Sequence, residues 1–297
     1  MAMRATLAIA ALIAIALDSS PLRAQDGGPL PERVTFISAD ERTTLVGYLF
    51  KPATMPAVRV PAVVMMHGRA GAYSDRANGV YDASTLSMRH KAWGREWADN
   101  GYIALLVDGF GPRGFPQGFP RFSYDRRPEE LNEVTVRPLD AYGALAYLRS
   151  RPDVDPNRIG LQGWSNGGSA AISTVSGRVP GISSAAKGFR AALAFYPACG
   201  LKGQFDQTPF RPYAPTLVFH GTADEEVSYK RCLALVERSR ESGGTVEIQV
   251  YPGATHSFDS LSRKRQRVDA NSAATDDAVE RSLRFFARYL GSSGHRP

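Results

Sequence analysis

The chain has 297 residues, 36 basic against 29 acidic side chains, 43% hydrophobic residues and two cysteines. With 22% charged residues and ordinary Gly and Pro content, it reads as neither a disordered nor a collagen-like chain. Two cysteines build neither a disulfide scaffold nor a four-cysteine zinc site. The net charge of +7 is spread along the chain, and its densest run, Arg263-Lys264-Arg265-Gln266-Arg267, is short and not interleaved with aromatics, so it reads as a solvated basic turn and not as a nucleic-acid site.

Arg4 leads a run of apolar or small residues, 5–17, broken by one Thr. That is shorter than the about 20 residues a membrane-spanning helix needs, and it fits the hydrophobic part of an export signal. Ser19, Ser20 and Pro21 then break the helix, and Leu22-Arg23-Ala24 offers a small residue at the cut. Residues 1–24 are therefore expected to be a secretory signal peptide. The mature chain is expected to start near Gln25 without a membrane span, in an oxidising compartment, periplasmic or extracellular. Residues 25–297 suit a single domain.

After a Gly/Pro-rich leader, residues 34–38 and 44–50 are β-type runs around Ala39-Asp40-Glu41-Arg42, a hairpin candidate. Residues 62–66 and 103–107 are continuous apolar runs, as expected of strands buried on both faces. Between them 93–100 looks helical, with Gly101 as its stop. Residues 109–132 look irregular, and 134–149 predicts a helix with Pro138 near its start. There follow a strand (159–164), a helix (167–176), two strands (191–196 and 216–220), a helix (229–240), a strand (246–251) and a closing helix (276–290). Alternating strands and helices predict an α/β fold, a mostly parallel central sheet with helices on both faces.

Gly163-Trp164-Ser165-Asn166-Gly167 follows a predicted strand and opens a predicted helix, the context of a G-x-S-x-G nucleophile elbow. A serine hydroxyl is a weak nucleophile at neutral pH and needs a base. Of His67, His90, His220, His256 and His295, His67 and His220 end strands before a Gly, which suits structural roles. His90 precedes a helix on the outer face, and His295 lies in the tail. His256, in the loop after the last strand, is the expected base. Asp224, directly after a strand end and its Gly-containing turn, is the expected orienting acid, with Glu225 and Glu226 as rivals. The chain order Ser165, Asp224, His256 is that of the α/β-hydrolases. Acyl transfer also needs donors aimed at the developing oxyanion. The backbone N–H of Asn166 is one candidate, and that of Arg69 the other, with Ala70 as its alternative.

The chain resembles the dienelactone hydrolase family of the α/β-hydrolases from about residue 61 to 290. The resemblance rests on Val64-Met65-Met66-His67-Gly68-Arg69-Ala70-Gly71, Leu106-Val107-Asp108-Gly109-Phe110-Gly111-Pro112-Arg113-Gly114, the Ser165 pentapeptide, His220-Gly221-Thr222-Ala223-Asp224 and Thr255-His256-Ser257-Phe258. It implies an α/β-hydrolase fold and a triad hydrolase of carboxylic ester or lactone bonds, working without metal or cofactor on a small-molecule substrate. The founding members use a cysteine nucleophile where this chain has Ser165, are cytosolic, and carry a glutamate where Gly68 stands, so a serine esterase of the same fold is the expectation. A peptidase-like serine hydrolase and a non-catalytic binding protein on the same scaffold are the alternatives.

The 109–132 stretch carries Phe110, Phe115, Phe119, Phe122, Tyr124 and several arginines, Arg113 among them. At a strand's C-terminal end it is placed to form an aromatic and basic wall of a substrate site. Phe110, Arg113 and Phe115 are its candidate residues, with Trp164 either lining the pocket or packing under the elbow. Cys199 and Cys232 are expected to pair in an oxidising compartment and brace the Asp224 loop.

Overall fold

The computed structural model describes Leu22, residues 28–178 and residues 184–291. Apart from Leu22, the segment read as an export signal lies outside the described residues, as does His295.

The hairpin forms and joins the sheet. Strand β1 (Glu32–Ile37) runs antiparallel to β2 (Thr44–Phe50). The turn between them is tied by Asp40, whose Oδ1 accepts the N–H groups of Arg42 and Thr43, both at 2.8 Å. The other strands are β3 (Val60–Met66), β4 (Ile103–Asp108), β5 (Val154–Trp164), β6 (Ala192–Phe195), β7 (Thr216–Gly221) and β8 (Val246–Tyr251). β2 pairs antiparallel with β4, and every pairing from β4 onward is parallel. The eight strands lie in the order β1-β2-β4-β3-β5-β6-β7-β8.

The unbroken apolar runs of β3 and β4 have a simple cause. Successive side chains point to opposite faces, and both faces are covered. Ala62, Val64 and Met66 enter one core, Val63 and Met65 the other. The first core is closed by α2 (Arg137–Ser150), α3 (Asn166–Val175) and α4 (Tyr229–Glu241) through Leu145, Ile172 and Leu235. The second is closed by α1 (Met88–Asp99) and α6 (Asp269–Leu290) through Trp93, Trp97 and Phe286.

Two helices start earlier than their apolar periodicity suggests. α1 begins at Met88 because Ser87 caps it, its hydroxyl accepting the His90 N–H at 3.3 Å. His90 is therefore inside the helix and buried, its ring 5.3 Å from that of Trp164, and not on an outer face. α6 begins at Asp269, where its first turns bury Asn271, Ala274 and Thr275, small or polar residues that give no apolar signal. The basic run forms the short helix α5 (Arg263–Gln266), and Arg265 is spent on an ion pair with Glu225 at 2.6 Å.

Cys199 and Cys232 form a disulfide across 33 residues of sequence, tying the segment after β6 to α4. Both residues are buried in the α2–α3–α4 core. Closing a loop of that length restricts the unfolded chain by about 4 kcal/mol. Replacing both cysteines by serine is expected to lower the unfolding free energy by about that amount, read from urea titrations; an unchanged midpoint would show that the bridge contributes nothing.

Candidate active site

The site is built on the C-terminal ends of β3, β5 and β7 and the loop after β8. β5 ends at Trp164 and α3 begins at Asn166, so Ser165 alone makes the corner, at φ 52° and ψ −115°. A residue with a Cβ adopts that conformation only under constraint. Here the Ser165 N–H donates to Phe195 O at 2.8 Å, and its own carbonyl accepts the Ser169 N–H at 2.9 Å. The flanking glycines are required by space. A Cβ on Gly163 would lie 2.0 Å from the Gly167 carbonyl oxygen, and one on Gly167 would lie 2.1 Å from that of Met66.

The structure brings the three expected side chains together. His256 Nε2 lies 3.0 Å from Ser165 Oγ, and His256 Nδ1 lies 2.8 Å from Asp224 Oδ2. The Asp224 carboxylate is further held by His220 Nε2 at 3.0 Å and by the N–H groups of Glu226 and Val227 at 2.8 and 2.9 Å. Burial pushes its pKa up, but the hydrogen bonds from His220 and His256 outweigh that and hold the carboxyl well below its ordinary value. The rivals are engaged elsewhere. Glu225 accepts the His256 backbone N–H at 3.0 Å and pairs with Arg265. Glu226 takes Arg69 on both oxygens, Nε at 3.0 Å and Nη2 at 3.2 Å, and lies 3.8 Å from His256 Nε2.

Asn166 and Arg69 line the same cleft as Ser165, and among the described residues neither backbone N–H donates to another protein group. The Arg69 backbone is fixed from outside. Its carbonyl accepts the Phe119 N–H at 2.8 Å, while its guanidinium Nη1 donates to Phe119 O at 2.8 Å.

Ser165 opens into a cleft of about 770 Å³. The segment 109–132 supplies part of its wall, but through Phe122, Tyr124 and Arg127. The four residues expected there lie elsewhere. Trp164 is fully buried on the far face of the sheet and donates to Asp259 Oδ2 at 2.9 Å. Phe110 is fully buried edge-on to His67. Arg113 turns inward to grip Asp140 with two 2.8 Å bonds and the Gly109 carbonyl with a third. Phe115 stacks against Phe119, 5.3 Å between ring centres, outside the cleft lining. The aromatic and basic composition of the segment was legible in sequence; which residues face the cleft is decided by turns with no sequence period, including a positive φ of 57° at Phe122.

Sequence reasoning also missed the supports of His256. Asp259, three residues after His256 and fully buried, accepts Trp93 and Trp164 indole N–H groups at 2.9 Å and the Tyr196 hydroxyl at 2.5 Å. The Tyr196 ring packs edge-on against His256, 4.8 Å between centres. The described residues contain no cluster of His, Cys, Asp and Glu able to hold a metal, and no helix long and apolar enough to cross a membrane.

Comparison with known proteins agrees with this architecture. The quorum-quenching protein AidA of Acinetobacter baumannii is 29% identical over 177 residues, which are 58% of this chain and 50% of that protein, so the chain spans about half the length of this relative. A probable 2-oxo-3-(5-oxofuran-2-ylidene)propanoate lactonase of Bradyrhizobium is 24% identical over 241 residues, 79% of this chain and 87% of that one. Among solved structures, Thermogutta terrifontis esterase 2 superposes with a TM-score of 0.62 at 22% identity, covering 90% of this chain and 97% of the esterase, a likeness of α/β-hydrolase fold. Residues 45–290 match the model of the dienelactone hydrolase family, and the chain belongs to that family.

Proposed function

We propose that this protein is a serine hydrolase of small carboxylic esters or lactones, a single catalytic domain over residues 25–297 that works outside the cytoplasm. The reading is carried by one observation: His256 stands between Ser165 Oγ at 3.0 Å and Asp224 Oδ2 at 2.8 Å, and Ser165 lines a cleft. Family membership and the esterase and lactonase named among its relatives support the ester bond as the target.

The chemistry follows from the geometry. As Ser165 Oγ attacks the carbonyl carbon, His256 Nε2 takes its proton, and Asp224 holds Nδ1–H and favours the imidazolium. The backbone N–H groups of Asn166 and Arg69 face the oxyanion of the tetrahedral intermediate. His256 then gives the proton to the leaving alcohol oxygen, and the acyl group stays on Ser165. A water molecule deprotonated by His256 attacks the acyl-enzyme, the acid leaves, and Ser165 recovers its proton.

Export is the second part of the proposal. It rests on the pattern of residues 1–24 and on a disulfide that suits an oxidising compartment. Intact-mass analysis of protein recovered from the periplasm or medium should give a chain beginning near Gln25; recovery of the full chain from the cytoplasm would refute export.

Initial rates on nitrophenyl esters of increasing acyl length test the catalytic reading. Ser165→Ala is expected to fall to background, and wild type and variant being indistinguishable would sink Ser165 as nucleophile. Asp224→Asn is expected to lose about ten-thousandfold in kcat, because it leaves His256 without a partner that favours the reactive tautomer and its protonated form. A loss below about tenfold would move the orienting role to another carboxylate.

A further inference from the structure

Behind the nucleophile lies a charge that the steps above do not use. Arg137, in the first turn of α2, is fully buried among the largest enclosed side chains of the protein. Its Nη1 donates to the His67 carbonyl at 2.8 Å and to Asn166 Oδ1 at 2.6 Å. Its Nε and Nη2 are buried and have no hydrogen-bond partner among the described residues. No carboxylate lies in ion-pair range of it among the described residues; Asp140 is gripped by Arg113 and Ser38 instead, and Asp140, Glu133 and Asp108 attract the guanidinium only from beyond that range. The guanidinium rests 5.0 Å from the Phe110 ring.

Such a group is expensive. A buried charge without a direct ion pair is costly to keep out of water, and each unsatisfied N–H adds to that cost. An uncharged residue of similar volume would fill the space at lower cost. What Arg137 touches gives it a use. His67 ends the loop root that leads to Arg69, and Asn166 follows the nucleophile, so one guanidinium joins the two segments that carry the candidate oxyanion donors. The Asn166 side chain is held at its other end too, its Nδ2 donating to Glu133 Oε2 at 3.1 Å. The other oxygen of Glu133 accepts the hydroxyl of Tyr124, which lines the cleft.

We infer that Arg137 is a positioning residue for the oxyanion site: it locks the His67 and Asn166 segments at a fixed separation, and its charge, engaged in no direct ion pair, favours negative charge forming on the far side of Asn166. The inference rests on the serine-hydrolase reading above and deepens it. Burial, followed by the positive charge of Arg137, holds the His67 imidazole well below its ordinary pKa and therefore neutral. A preorganised positive site of this kind acts on the transition state and leaves the neutral ester nearly unaffected, because charge appears on the carbonyl oxygen only as the serine attacks.

The test compares wild type with Arg137→Met, Arg137→Lys and Asn166→Ala, each corrected by active-site titration for the fraction of functional enzyme. Two quantities are read: kcat and KM on a short nitrophenyl ester, and the inhibition constant of phenylboronic acid, which forms a negatively charged tetrahedral adduct on a serine. Arg137→Met is expected to lose about 10- to 100-fold in kcat with KM changed less than about threefold, and to lose boronate affinity by a similar factor. Arg137→Lys keeps the charge and should recover part of both losses. Asn166→Ala keeps its backbone N–H but loses the tether, and should lose about tenfold in both.

Equal kcat and boronate affinity in all four proteins overturn the inference while leaving the esterase reading intact. A fall in kcat without loss of boronate affinity, or a lysine variant no better than methionine, overturns it as well. If Arg137→Met does not fold, the lysine and Asn166→Ala variants decide by the same two readouts. A folded wild type that neither hydrolyses the esters nor binds the boronate removes the esterase reading, and this inference with it.

Discussion

The peptide corner at Ser165 is the constraint on which the site depends. A serine at φ 52° costs about 1–3 kcal/mol relative to relaxed backbone. The fold meets that cost by leaving the chain nowhere else to go. β5 enters the corner paired on both sides, α3 leaves it at once, and Gly163 and Gly167 meet with no room for a side chain. Two consequences follow from the same conformation. The Ser165 hydroxyl stands clear of the sheet within reach of His256, and the Asn166 N–H is left free at the start of a helix. Helix N-termini favour negative charge, so the residue after the corner is suited to an oxyanion by position before any side chain is considered.

The other side of the corner supports the histidine. The loop after β8 turns through Ser257 at φ 56°, which sends His256 toward the cleft and Asp259 into the core beneath it. A buried carboxylate is tolerable only when its oxygens are satisfied, and Asp259 meets that condition with two indoles and a phenol drawn from α1, the end of β5 and the end of β6. The carboxylate therefore ties together three elements distant in sequence. Tyr196 passes that rigidity on by packing against the His256 ring. Trp164 belongs to this anchoring cluster, which explains why the residue before Ser165 takes no part in the cleft.

What was legible in the sequence was what local chemistry dictates. The hairpin, the doubly buried strands and the elbow each carry a short-range signature: alternation around an Asp-containing turn, an unbroken apolar run, a glycine-bracketed serine. Ser165, Asp224 and His256 stand out as candidates because strand ends and loop chemistry limit where such residues are useful, and their hydrogen-bonded arrangement follows from three neighbouring strand ends. Other features have no local signature. Arg137 looks like a helix-surface arginine until α2 is packed onto the sheet. Asp259 looks like a loop aspartate until its two tryptophan partners arrive from other elements. The start of α6 was missed because the residues it buries, Asn271 and Thr275, serve hydrogen bonds to the His256 loop and not an apolar core.

The segment between β4 and α2 shows how one stretch can be both frame and wall. Its first part is structural: Phe110 fills the space under His67, and Arg113 is fixed by Asp140 and the Gly109 carbonyl. Its middle is clamped across the cleft, with Phe119 bonded to Arg69 through both backbone groups and Arg121 paired with Glu225 and Glu226. Only beyond that clamp does the chain face the cleft, through Phe122, Tyr124 and Arg127. The clamp fastens the wall to the same loop that carries Asp224, and to Arg69, which lines the cleft together with Ser165. Under the esterase reading, a substitution within 122–127 acts on what the cleft accepts while the clamp keeps the reacting groups in register. A substitution at Arg69, Arg121 or Glu226 acts on both at once, because those side chains hold the wall and the chemistry together.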